Sequence, residues 1–183
     1  MVTLLSEQLG CEIFCVHRLD TATGGVMVYA KSSRSAGLLT ASLSSETTVK
    51  EYLCVCRSSN AGQGIMEDLL FHDKRKNKAY IVDRERKGVK IARLSYESLA
   101  TDGERSLVKV RLYTGRTHQI RVQFASRKMP LLGDGKYGAR DNLPLALHCF
   151  HLAFDHPFAK ERIDVCALPE SPWFSFGLDN IAI

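Results

Sequence analysis

The chain has 183 residues, an apolar content of 45% and a formal net charge of +5. That is enough to close a core, and it excludes the disordered and collagen-like classes. No apolar run approaches the ~20 residues of a membrane-crossing helix, and residues 1–10 lack the basic start and long apolar stretch of a signal peptide. A single domain spanning 1–183 is expected, as a monomer in the cytoplasm with no membrane attachment.

Residues 1–10 read as a short helix. Ile13 to His17 forms a short apolar strand, Gly24-Gly25 a turn, and Val26 to Ala30 a second, buried strand. Ser33 to Leu43 is helical, with Ser32 or Ser33 as cap and Leu38, Leu39 and Leu43 at helical spacing. Val49 to Cys56 alternates as a half-buried strand. Gly62 and Gly64 mark a turn, and 71–88 is a polar excursion or loose hairpin. Ile91 to Ala100 and Ser106 to Tyr113 pair antiparallel about Thr101-Asp102-Gly103-Glu104. A helix follows from Thr117 to about Arg127, with Ile120, Phe124 and Ala125 on one face, and Pro130 ends it. Leu145 to Phe154 and Arg162 to Leu168 are further strands. Seven or more strands with two or three helices, in no repeating βαβ order, predict an α+β fold: a mixed, mainly antiparallel sheet flanked by a few helices.

The six cysteines form no CxxC pair, and most sit in apolar strand-like runs. Cys11 and Cys15 alone meet a loose zinc spacing, and no partner pair follows. In His148-Cys149-Phe150-His151 the two histidines point to opposite faces of a strand. Buried reduced thiols and no metal are expected. The charge is unevenly spread. Residues 74–93 carry nine Lys and Arg against Asp83 and Glu85, and residues 111–140 carry seven against Asp134 alone. The stretch after 159 leans acidic. Two separate basic stripes point to a polyanionic partner, RNA or DNA.

Two segments stand out chemically. His17-Arg18-Leu19-Asp20-Thr21-Ala22-Thr23-Gly24-Gly25 places an acid beside a histidine and an arginine. Thr114-Gly115-Arg116-Thr117-His118-Gln119-Ile120-Arg121 supplies two arginines, a histidine and a glutamine where a strand gives way to a helix. An aspartate among cationic and amide donors suits a nucleophile or base acting on an anionic substrate. Taken singly, Asp20 reads as a turn cap, Tyr52 as a strand aromatic, Arg116 and Arg121 as phosphate contacts, and His17 and His118 as structural hydrogen-bonders.

Taken in order, the segments resemble the RluA-type RNA pseudouridine synthases. His17-Arg18-Leu19-Asp20-x-x-Thr23-x-Gly25 resembles their catalytic signature, and Lys50-Glu51-Tyr52 their K-x-Y motif. The 114–121 segment is similar to G-R-x-H-Q-I-R. Pro130-Leu131-Leu132-Gly133-Asp134-x-x-Tyr137-Gly138 resembles P-I-L-G-D-x-x-Y-G. Leu147-His148 and Ala167-Leu168-Pro169 are similar to the L-H-A and closing A-P-L-P elements.

The resemblance implies isomerisation of uridine to pseudouridine in ribosomal or transfer RNA, with no cofactor and no metal. The N1–C1′ bond breaks, the uracil turns, and C5 joins C1′ on a nucleotide flipped from its stack. It also implies that Asp20 is the catalytic nucleophile or base, that Tyr52 stacks on uracil, and that Arg121 pairs with the aspartate. Arg18 fills the gap left by the flipped base, and Arg116, His118, Gln119 and Leu168 contact the substrate. An ionised Asp20 in a partly apolar pocket needs a buried cation, and arginine's planar fork can grip both carboxylate oxygens. Stacking on Tyr52 is worth roughly 1–3 kcal/mol.

Only sixteen residues precede His17, without the family's K-P-x-G strand. One sheet edge is therefore expected to be missing or replaced by residues 1–10, and no separate RNA-binding domain is expected. The competing reading is a catalytically weak RNA-binding protein that keeps the scaffold. An aspartyl phosphohydrolase is discounted, because position 22 is Ala where that class places a second aspartate.

Overall fold

In the computed structural model, which describes residues 1–159, 161–170 and 176, the alternating apolar segments pair into one sheet. The elements in chain order are α1 (Val2–Leu9), β1 (Phe14–Cys15), β2 (Gly24–Gly25), β3 (Tyr29–Ala30), α2 (Ser33–Leu43), β4 (Val49–Cys56), β5 (Gln63–Asp73), β6 (Lys78–Val82) and β7 (Val89–Thr101). They continue with β8 (Ser106–Leu112), α3 (Gln119–Ser126), a single 3₁₀ turn (Gly135–Tyr137), β9 (Leu147–Asp155) and β10 (Arg162–Cys166). The main sheet runs β10-β9-β4-β8-β7-β5-β6, antiparallel at every step, and β2 adds to β9 in parallel. This is the expected α+β class.

Side-chain alternation on the central strands divides the core by face. Cys54 and Cys56 on β4 join Met66, Leu94, Val108 and Val110 beneath Ile120 and Phe124 of α3, with Tyr52 packed against the group. Leu53 and Val55 face the other way, against Leu107, Leu132 and Phe150. Leu39 and Leu43 of α2 cover Leu152 and Phe154 of β9. Helix α2 starts where Ser32 Oγ accepts from the Ser35 N–H at 3.2 Å. Its C-terminal end is met by Lys50, whose Nζ donates to the Leu43 carbonyl at 2.7 Å, a cation placed against the negative end of the helix.

The structure corrects several expectations. Gly62 and Gly64 do not frame a turn: Gly64 lies within β5, and of the two readings of 71–88 it is the hairpin that forms, by pairing of β5 with β6. Asp73 fixes its turn by accepting from the Arg75 and Lys76 N–H groups. Of Val26 to Ala30 only Tyr29–Ala30 is strand, paired with β1. Residues 1–10 do not replace a sheet edge. They form α1, which buries none of its residues, and among the described residues the edges of the main sheet are β10 and β6. Cys54, Cys56 and Cys149 are buried free thiols, but Cys15 and Cys166 are exposed and Cys11 is half-buried. Much of the acidic-leaning stretch after 159 lies outside the described residues. No described helix is long and apolar enough to cross a membrane.

Gly24-Gly25 is not a turn either. It is a two-residue parallel bridge to His148 and Cys149 of β9, and the turn falls at residues 21 and 22. Gly25 has φ 114°, and a Cβ there would stand 2.1 Å from the Cys149 carbonyl oxygen. No side chain fits such an approach. Gly25→Ala is expected to cost at least about 2 kcal/mol, since backbone strain alone is worth ~1–3 kcal/mol. Urea unfolding checks this; an unchanged midpoint would show that the bridge is dispensable.

Candidate active site

The bridge at Gly24-Gly25 sets the position of Asp20. The Asp20 carbonyl accepts from the Thr23 N–H at 2.9 Å and closes the turn, so the carboxylate is carried to β9 and its neighbour β4. Cys149, against which Gly25 lies, is the register partner of Tyr52. On the same face, the 113–118 loop and α3 close over the end of the sheet. The result is a cavity of about 150 Å³ lined by Arg18, Asp20, Thr23, Tyr52, Arg116 and Gln119, with Leu112, Ile120 and Leu147 as apolar wall. A cavity of that order holds one six-membered ring.

Arg121 stands behind this cavity, nearly inaccessible in the first turn of α3. Its Nη1 lies 3.7 Å from Asp20 Oδ2. The planar fork expected on Asp20 goes instead to Asp134, which accepts from Nε at 2.8 Å and from Nη2 at 2.7 Å. Asp134 is 1% exposed, and its carboxylate has no access to water, so it depends on this pair. Burial opposes the Arg121 charge, but the hydrogen bonds and charge of Asp134, then the charge of Asp20, outweigh it and raise the group above its ordinary value. Asp20 thus faces a cation already fixed in place. At 3.7 Å it is drawn to that charge without being locked by two hydrogen bonds.

Burial, reinforced by Cys149 and by the Asp20 charge, pushes the Tyr52 hydroxyl well above its usual range. Tyr52 therefore stays a neutral phenol at physiological pH; its side chain lines the cavity while its hydroxyl engages the Cys149 thiol. Arg18 is exposed at the cavity rim, with no hydrogen-bond partner among the described residues. Arg116 lines the cavity while its Nε donates to the Ile91 carbonyl at 2.9 Å. The Gln119 amide is engaged by protein: Oε1 accepts from Thr114 Oγ1 at 2.8 Å and from the Arg116 N–H at 3.0 Å, and Nε2 donates to the Arg93 carbonyl. It shapes the loop that presents Arg116.

Two expected contacts lie off the cavity lining. His118 is buried at the N-cap of α3, its Nδ1 2.9 Å from the Tyr137 hydroxyl. Burial lowers its pKa despite the nearby Asp20. Leu168, beyond β10, is 36% exposed and is not part of the lining. His17 Nε2 accepts from the Val28 N–H at 2.9 Å and ties the Asp20 segment to the chain beyond the turn. Two residues gain importance from the structure. Asp134, visible in the sequence as the lone acid of the basic 111–140 stretch and as part of the 130–138 motif, has no role assigned by the sequence and is the fork partner of Arg121. Thr23 Oγ1 is buried at the cavity without a hydrogen-bond partner, and a substrate polar group can satisfy it.

Residues 3–126 match the family profile described as RNA pseudouridylate synthase. The chain is 30% identical to tRNA pseudouridine synthase C of Haemophilus influenzae over 97% of its own length and 84% of that protein's. It is 34% identical to ribosomal large subunit pseudouridine synthase D of Borreliella burgdorferi over 76% of its length, but spans only 44% of that relative. The fold is similar to that of human RNA pseudouridylate synthase domain containing 4, with a TM-score of 0.77 and 24% identity over 98% of this chain and 81% of that one.

Arg121→Lys keeps the charge but loses the fork on Asp134, so the cation facing Asp20 loses its fixed orientation. Turnover in single-turnover assays is expected to fall at least roughly tenfold, about 1.4 kcal/mol of transition-state stabilisation. Arg116→Lys is expected to be milder. Asp134→Asn should cost roughly 3–5 kcal/mol of stability, because it strands a buried charge. Greater sensitivity at Arg116 would reassign the partner of Asp20.

Proposed function

Because this chain belongs to the RNA pseudouridylate synthase family, we propose that it isomerises uridine to pseudouridine in structured RNA, with Asp20 as the catalytic carboxylate. The carrying observation is convergence. Asp20, Tyr52 and Arg121 come from three segments far apart in sequence and meet around one cavity of single-ring size. The N1–C1′ bond breaks, C5 joins C1′, the C5 proton leaves and N1 takes one up, so no redox partner is needed. Asp20 is the anion placed to attack the sugar or to take a proton. A neutral Tyr52 serves as stacking face rather than as base, and Thr23 Oγ1 is a free hydrogen-bonding group for the substrate. Arg18 at the rim is placed to fill the space of the flipped nucleotide.

The polynucleotide path is supported by a second cavity, of about 610 Å³, that shares Gly115, Arg116 and Thr117 with the first and adds Lys74 and Lys90. Lys74, Arg75, Lys76, Arg84, Arg86 and Lys87 are exposed around the β5–β6 hairpin and the loop before β7. The 3₁₀ turn joins them, with Lys136 Nζ donating to the Asn77 carbonyl at 3.0 Å. Both basic stripes therefore contribute to one side of the site. Ribosomal or transfer RNA is the proposed substrate, in the cytoplasm, recognised as a loop or single-stranded uridine that costs least to flip.

The test is release of tritium from RNA labelled at uracil C5. Wild-type protein is expected to release it, and Asp20→Asn to abolish release while fold and RNA binding persist. If the wild type binds RNA but releases no tritium, the chain is a binding scaffold instead. RNA affinity is expected to fall steeply with salt as phosphate counterions are displaced. Reversing Lys74, Arg84 and Lys87 to Glu should weaken binding and flatten that slope, with little change in the single-turnover rate at saturating RNA. A salt-independent affinity would remove these side chains from the RNA path.

A further inference from the structure

Tyr52 faces the active cavity, so its neighbour Glu51 projects from the opposite face of the sheet. There the pairing of three strands places Glu51, His151 and Cys166 side by side, with Glu51 opposite His151 and His151 opposite Cys166. Asp164, two residues before Cys166 on β10, shares that face. The His151 ring is held at both nitrogens by carboxylates: Nδ1 lies 2.9 Å from Glu51 Oε2, and Nε2 lies 2.9 Å from Asp164 Oδ1. The ligating atoms of His151, Asp164 and Cys166 all fall within 4.8 Å of one another. We propose that this cluster is a zinc site, with His151 Nε2, Asp164 and Cys166 as ligands and Glu51 orienting the imidazole through Nδ1.

Charge and donor chemistry both support the assignment. A neutral imidazole has one N–H, so it can donate to only one of its two carboxylates. Among the described residues, neither Glu51 nor Asp164 has an ion pair with a lysine or arginine. Two carboxylates and a thiol thus meet at one imidazole, where a second ring proton or a bound cation can balance the charge; Arg111, the β8 register partner of Glu51, makes no ion pair with it among the described residues. A bound divalent ion supplies that balance: Nε2 binds as a lone pair, Nδ1–H is donated to Glu51, and the thiol loses its proton to become a thiolate. A mixed nitrogen, oxygen and sulfur set suits zinc and not magnesium or calcium. Such an ion would clip strand β10, which pairs with β9 among the described residues, to β9 and, through Glu51, to β4, and so anchor the chain leading to Ala167 and Leu168.

The full chain, stripped with a chelator, should bind one equivalent of zinc in competition with a chromophoric chelator. With cobalt(II) in its place, it should show thiolate-to-metal charge-transfer absorption. Cys166→Ser changes an exposed side chain, so it leaves the fold intact; it is expected to abolish that absorption. Cys166→Ser and Asp164→Asn should each weaken zinc binding at least tenfold, and Glu51→Gln by ~10–100-fold as the orienting carboxylate is lost. Cys15→Ser, at another exposed thiol, should change nothing. Zinc should raise the melting temperature of the wild type but not of Cys166→Ser. Absence of stoichiometric binding, or charge-transfer absorption that survives Cys166→Ser, overturns the proposal. Both readouts are independent of RNA turnover, so failure here leaves the isomerase reading untouched, and the reverse holds equally.

Discussion

The buried pair between Arg121 and Asp134 is the constraint around which the site is organised. Two charges removed from water are tolerable only in good geometry, and the fork to Asp134 provides it with bonds of 2.7 and 2.8 Å. Two of the three guanidinium nitrogens are committed there, which leaves Nη1 toward Asp20. One interaction therefore fixes α3 against the 131–138 segment and also sets the electrostatic environment of the Asp20 carboxylate. Gly133 makes it possible: at φ 75°, it lies where a Cβ would stand 2.1 Å from the Pro144 carbonyl oxygen, so the chain passes close enough for Asp134 to turn inward.

The Asp20 carboxylate reaches this environment by backbone contact. The parallel bridge from Gly24-Gly25 to β9 places the 17–25 segment over Cys149, and the register of β9 with β4 brings Tyr52 beneath it. Side chains then refine what the backbone has placed. His17 accepts from Val28, and Lys50 closes the end of α2. Residues that resemble catalytic machinery by proximity thus divide into those that open on the cavity and those that hold its walls. Gln119 lines the cavity but also holds the arginine loop. His118, off the lining, bonds Tyr137, whose hydroxyl accepts from the Ala79 N–H and so ties the site to the β6 edge.

The two faces of the sheet carry different chemistry because adjacent β4 residues point in opposite directions. Tyr52 belongs to a pocket of neutral aromatic and ionised groups, while Glu51 belongs to a cluster rich in carboxylate. The single extra residue in β9 opposite Glu51 and Tyr52 marks the change of register between them. Bulges of this kind re-aim side chains beside functional sites.

Local sequence was sufficient for the α+β class, for α2 with its serine cap, for the β7–β8 hairpin about Asp102-Gly103, and for the basic stripes, because these depend on periodicity, turn chemistry and composition within short windows. Asp20, Tyr52 and Arg121 stood out only through the resemblance of the ordered motifs to the pseudouridine synthases; taken singly they read as a turn cap, a strand aromatic and a phosphate contact. Local sequence could not show which carboxylate receives the Arg121 fork. Asp20 and Asp134 are equally acidic in a string of letters, and only the packing of α3 on the 131–138 segment decides between them. The same holds for Gly25, whose neighbour Cys149 is more than a hundred residues away, and for β5, whose alternation is blurred by Glu67 and Asp68. The meeting of Glu51, His151, Asp164 and Cys166 was hidden for the same physical reason. Cross-strand register, unlike alternation, is set by contacts between distant segments and exists only once the sheet has formed.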